Sequence, residues 1–204
     1  MPTDTAATAF ALTVPDTWFE IELRPNVREE FTRALVYERV KNQPELREHR
    51  ATIVRLLLEF AERAWNSGAR YCGCMVEPTA EGPITASVTV TIIDAPPGSS
   101  TEQNSERIDA VLDAFVPVGS VAPKDAPTLT IATLPKVGEA ARMYGKEVVD
   151  IGGGTRIESV FMRTFVPIPN STQLALIAAA SPVLWLEAEL LDLFDAVTGT
   201  FEFV

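Results

Sequence analysis

The side chains with chemical potential are few in this chain, and their spacing constrains what they can do. His49 is the sole histidine, so any Ser-His or Cys-His relay would have to use it, together with a third group to orient the ring. It stands between Glu48 and Arg50 in a charged helical stretch, which is the setting of a surface histidine. Cys72-Gly73-Cys74 places two thiols on one face of a strand, because strand side chains alternate. Metal binding would need two more ligands, and the sequence has no second cysteine pair or histidine cluster, so the pair reads as two small core residues. Gly152-Gly153-Gly154 lacks the Lys-Ser/Thr and the following helix of a phosphate-binding loop, and reads as a hairpin turn. The carboxylate pairs Glu187/Glu189 and Asp192/Asp195 would need a cleft to act together, whereas their spacing suits a solvated helix face. No catalytic residue, cofactor site or metal site is expected. One route to an enzyme stays open: a polar cleft that gathers Arg142, Arg156, Arg163 or the carboxylates. Trp185 lies beside the apolar stripe near the start of the terminal helix. The residue type favours a place in the core, and exposed there it would be a contact for a partner.

The elements that must position these residues are clearest in residues 171–204. Gln173 to Ala180 is an apolar strand, and Ser181-Pro182 reads as a corner opening a helix, Ser181 as N-cap and Pro182 as first helical residue. Val183, Leu186, Leu190, Phe194 and Val197 recur at intervals of three and four, a stripe that must pack on a sheet. Gly199 ends the helix, and residues 200–203 close with a short strand.

Earlier in the chain, residues 1–8 read as a disordered leader and 9–204 as one domain. Residues 9–14 and 18–23 read as strands, the second with Phe19, Ile21 and Leu23 toward the core and Trp18, Glu20 and Glu22 away from it. Asn26 reads as an N-cap, followed by a helical period through Val27, Phe31, Ala34, Leu35, Val36 and Val40. Pro44 then opens a second helix, with Leu46, Ile53, Leu56, Leu57, Phe60 and Ala64 in phase up to Gly68. From Arg70 the period becomes two: residues 71–76 and 84–93 read as a hairpin. Residues 94–103, rich in Pro, Gly and Ser, read as a mobile loop. A helix over 105–115, a strand over 128–134 and strands over 138–151 and 156–167 follow. The order gives an α+β domain, a mostly antiparallel sheet packed by a long C-terminal helix and an N-terminal helical pair.

Composition bounds the function classes. The chain has 204 residues, 47% hydrophobic and 22% charged, enough for a substantial core. Its 28 acidic against 17 basic residues give a net charge of −11, which repels a phosphate backbone. Nucleic-acid binding is therefore disfavoured, while a basic protein partner or simple solubility suits the sign. No apolar run approaches the ~20 residues that span a bilayer, and two cysteines suit a reducing compartment. No membrane insertion and a cytoplasmic location are expected. A homodimer through the sheet edge at 84–93 or an exposed helix face is a further expectation.

Val14-Pro15-Asp16-Thr17-Trp18, the strand ending Phe165-Val166-Pro167-Ile168-Pro169, the apolar strand after it and the Ser181-Pro182 corner resemble small actinobacterial proteins of unassigned function. That layout is similar to the PsbP-like α/β/α sandwich over residues 10–24 and 127–204. The resemblance implies a fold used mostly for binding macromolecules and carries no catalytic residue. The expected function is thus a non-enzymatic cytoplasmic protein-binding or adaptor protein. The alternatives are an acidic immunity-type protein that neutralises a basic toxin and an enzyme with an unrecognised polar pocket.

Overall fold

Alternation of small polar and β-branched residues in β4 (Ile84–Asp94) sends Ala86, Val88 and Val90 to one side, where all three are buried, and Ser87, Thr89 and Thr91 to the other. The structure, a computed structural model, describes residues 9–41, 44–80, 82–96, 104–115, 126–150 and 156–204. The expected leader at 1–8, most of the loop at 94–103 and the Gly152-Gly153-Gly154 turn lie outside the described residues.

β4 forms a hairpin with β3 (Ala69–Glu77). With β2 (Phe19–Glu20), β5 (Thr128–Leu134), β6 (Gly138–Asp150), β7 (Arg156–Pro167) and β8 (Gln173–Ser181) they build a seven-stranded sheet, order β2-β3-β4-β8-β7-β6-β5. Every pairing is antiparallel. β4 is therefore central, hydrogen-bonded to both β3 and β8, and the expected dimer edge at 84–93 is corrected: the edges are β2 and β5. Adjacency in sequence gave the hairpin but could not show that β8 closes the other side of β4. Segment 138–151, expected as strand, is strand over its described part, Gly138–Asp150.

The helix α5 (Glu187–Gly199) covers one face of the sheet. Val183, Leu190, Phe194 and Val197 are buried against Val88, Val90, Val160, Met162, Ile177 and their neighbours. Its start departs from expectation. Ser181 is the last residue of β8; its hydroxyl donates to the Thr85 carbonyl at 2.7 Å and accepts from the Val183 amide at 3.1 Å. The chain then makes a 3-10 turn, Leu184–Leu186, before the α-helix begins. Held by a neighbouring strand, Ser181 caps a turn rather than the helix. Past α5, β9 (Glu202–Phe203) pairs with β1 (Phe10–Ala11), and Phe201 is buried with its ring 5.7 Å from that of Phe10.

The opposite face carries two helical layers. The helix α4 (Asn104–Phe115) packs Ile108 and Val111 on Ala141, Phe165 and Leu174. The helix α3 (Arg50–Asn66) packs Ala61 on Ile21, Leu23, Ala69 and Cys72. The helix α1 (Arg28–Val40) lies on α3 through Val36, Val40 and Val54. Of the N-terminal helices, α3 therefore packs on the sheet edge and α1 packs on α3. Between α1 and α3, a short helix α2 (Pro44–Arg47) breaks off before His49, so the expected continuous helix from Pro44 is two. The buried stripe of α1 is Thr32, Val36 and Val40, and Phe31 faces solvent. Val27, not Asn26, precedes the helix, without a side-chain cap. Trp18 sits just before the two-residue strand β2 and enters the main core, which corrects its expected outward face; Ile21 and Leu23 are buried as expected.

Gly73 has a packing reason. A Cβ there would lie 2.9 Å from the Tyr71 hydroxyl and 3.3 Å from Val88 Cγ1, since the Tyr71 phenol lies over the glycine on the same strand face. The hydroxyl is buried, and burial, with the Glu20 carboxylate adding to it by its charge and by accepting from the phenol, pushes its pKa well up. Gly73→Ala is expected to destabilise the fold by about 1–3 kcal/mol through overpacking. Urea unfolding of the variant checks the sign.

Candidate interaction face

Strand lengths on one side of the sheet do not match, and the mismatch builds the most distinctive surface of the molecule. β6 pairs with β5 only over residues 138–144, and β7 meets β8 only from Val160 onward. β6 and β7 nevertheless stay paired out to Asp150 and Arg156. Residues 146–150 and 156–159 therefore have no second neighbouring strand among the described residues, and extend as a two-stranded arm. Gly145, at φ 153°, marks the junction, where Pro127 at the start of β5 approaches it. Val148 and Val149 point to opposite faces of the arm and are 63% and 40% exposed.

At the root of the arm, α5 and the sheet enclose a trough. A recess of about 610 Å³ is lined by Thr128, Tyr144, Lys146, Val148, Glu158, Glu187 and Leu191 among others. A second, of about 600 Å³, continues it past Thr130, Ile131, Arg142, Asp192 and Asp195 and shares Tyr144 and Leu191. Lys146 Nζ reaches Glu187 at 2.7 Å across the first recess, and this hydrogen bond raises the lysine pKa.

Arg142, expected as a member of any polar cleft, does reach this one, but as a structural group. Its Nε donates to Thr164 Oγ1 at 3.1 Å, one terminal nitrogen to Thr198 Oγ1 at 2.9 Å, and the other to the Asp195 carboxylate. All three guanidinium nitrogens are thus engaged within the protein. Arg163 lies on the opposite face of the sheet, its guanidinium 4.5 Å from the Phe161 ring centre and 2.6 Å from Glu147. Arg156 is exposed on the arm. The three arginines do not converge.

Trp185 is 60% exposed on the 3-10 turn, against the core position its residue type favours. Its neighbours Leu184 and Leu186 pack on the core, and in so tight a turn the middle residue is left outside. Two residues on, Glu187 bonds the arm through Lys146, while Trp185 itself lines neither recess.

The other candidates resolve differently. Cys72 and Cys74 face α3 as free thiols with sulfurs 3.8 Å apart; the Cys72 thiol, bonded to Cys74 and buried, is pushed up, and that of Cys74 lowered by the same bond. His49 is exposed at the start of α3. Among the described residues no group of three or more His, Cys, Asp or Glu side chains could hold a metal. A groove of about 490 Å³ between α1 and α3 is lined by charged side chains that pair with each other, Arg33–Glu29 at 2.8 Å and Arg55–Glu59 at 2.9 Å. Lys146, Val148 and Tyr144 were not singled out by sequence. Only the excess length of β6 over β5 could have pointed to them.

The fold and face define an α+β protein whose antiparallel sheet is packed by helices on both sides. No protein-family model matches the chain, and no curated protein matches it. Among solved structures it is similar to LpqN of Mycobacterium tuberculosis, described as involved in cell envelope biogenesis. The identity is 10%, the TM-score 0.45, and the match covers 98% of this chain and 86% of that one. A likeness at this level carries no functional argument. No helix among the described residues is long and apolar enough to cross a membrane.

Proposed function

We propose that this chain is a non-enzymatic protein-binding module of the cytoplasm, and that it engages its partner through the face made by Trp185, the β6–β7 arm and the trough beside α5. The observation that carries the reading is Trp185 at 60% exposure, two residues before the Glu187 that bonds an arm whose Val148 is 63% exposed. Tryptophan is among the residue types most enriched where partner binding energy concentrates. The capture of Arg142 by Thr164, Thr198 and Asp195 suits a structural role, since three of its five N–H donors are held within the protein. The resemblance to PsbP-like sandwiches agrees with the same class.

A photo-reactive amino acid placed at position 185, and as a control at Glu30 on α1, tests this in the native host. The expected result is one discrete adduct from position 185 and none of that mass from position 30. No adduct at 185, or the same adduct from both positions, would contradict it.

A further inference from the structure

We infer that β5 takes up an extended, basic segment of a protein partner as an eighth strand of the sheet, with alternate Lys or Arg side chains reaching over β5 into the trough. The inference rests on the protein-binding reading above and names its partner chemistry.

The first support is the edge itself. β5 ends the strand order, and no described strand pairs with its outer side. Its seven residues, Thr-Leu-Thr-Ile-Ala-Thr-Leu, include no charge and no proline, and Thr128, Thr130, Ile131 and Thr133 are exposed. Natural sheets blunt such edges with charges, proline, a bulge or brevity. The opposite edge, β2, is only two residues long. β5 has none of these devices and is rich in strand-forming residues, so it is built to accept backbone hydrogen bonds from another strand.

The second support is the charge above it. Glu158, Glu187, Asp192 and Asp195 line the trough against Lys146 and Arg142. The two cations are bonded to Glu187 and Asp195, whereas Glu158 and Asp192 have no ion pair among the described residues. In the ladder Thr128 sits opposite Tyr144 and Thr130 opposite Arg142, so this set of β5 residues shares the trough side. A strand added about 4.8 Å further out would put every second side chain on that side, and the long stems of Lys and Arg span one strand. A second copy of the chain fits less well, because edge-to-edge pairing would bring two acidic troughs together on chains of net charge −11.

The probe is a labelled nine-residue peptide alternating lysine and valine, read by fluorescence anisotropy against the purified chain at low salt. Saturable binding is expected. It should weaken at least about tenfold in the Glu158→Lys/Asp192→Lys variant, and should vanish when alternate peptide amides on the pairing edge are N-methylated, which blocks strand addition without changing charge. No saturable binding up to about 1 mM, equal binding of the methylated peptides, or equal binding by the charge-reversed variant would overturn the inference. So would a dimer in light scattering that Ile131→Lys dissolves, since the edge would then belong to a second copy. If the peptides fail while position 185 still yields its adduct, strand addition is wrong and the protein-binding reading stands.

Discussion

Arg107→Ala lowers the unfolding free energy by about 3 kcal/mol, the cost of losing two charge-assisted hydrogen bonds and opening a buried void. Arg107 is 1% exposed. From α4 its guanidinium donates to the Ile168 carbonyl at 3.2 Å and the Gln173 carbonyl at 2.6 Å, pinning the turn between β7 and β8. No salt bridge to it is found among the described residues, and burial lowers its pKa. Two effects oppose each other on substitution. Removing the cation relieves a desolvation cost, but it also leaves an empty space the size of the lost side chain and takes the guanidinium donor from the Ile168 carbonyl, while the Gln173 carbonyl keeps the Ile168 amide. The second effect wins, because the void and two lost charge-assisted bonds together exceed the relief. For a chain of this size the midpoint of thermal unfolding should fall by roughly 6–12 °C. Arg107→Met separates the terms: it refills the space without donors, and should recover less than half of the loss in a thermal scan. Full recovery would mean that volume alone was at stake.

The second large effect belongs to Arg142, and its signature is an asymmetry. The side chain is buried, while its partner Asp195 is 64% exposed. Arg142→Ala strips three acceptors on β7 and α5 at once, and is expected to cost about 3 kcal/mol. Asp195→Asn removes only the solvated end of the pair and is expected to cost less than about 1 kcal/mol. Chemical denaturation of the two variants measures both. Equal losses would show that the ion pair, and not the buried network through Thr164 and Thr198, holds α5 to the sheet. The distinction bears on the proposed face, since Arg142 forms the floor of the trough beneath Asp192 and Asp195.

Much of the fold was legible because period and burial agree. Of the stripe Val183, Leu186, Leu190, Phe194 and Val197, four are buried as the spacing predicts and Leu186 is half-buried, and β3, β4, β5, β7 and β8 lie where alternation and turn residues placed them. What failed depended on partners distant in sequence. Ser181 has the chemistry of a helix cap, but it ends β8 and its oxygen accepts from the Val183 amide ahead of the 3-10 turn, so the helix starts later and Trp185 turns outward. On α1 the spacing of Phe31 and Ala34 was as good as that of Thr32 and Val36, and only the position of α3 decides which set is covered. The candidate face was the least legible part. It arises from the register of β6 on β5 and of β7 on β8, and register between strands cannot be read from either strand alone.

The most direct test of the protein-binding account is affinity purification of the tagged chain from its own host in mild salt, comparing wild type with Trp185→Ala/Val148→Asp. Both positions are solvent-exposed, so the variant should keep the wild-type thermal midpoint within about 2 °C. The account predicts a stoichiometric protein partner with wild type, and at least about thirtyfold weaker recovery with the variant, the scale of a buried tryptophan contact. A partner recovered equally by both forms, or none recovered by the wild type, would contradict it.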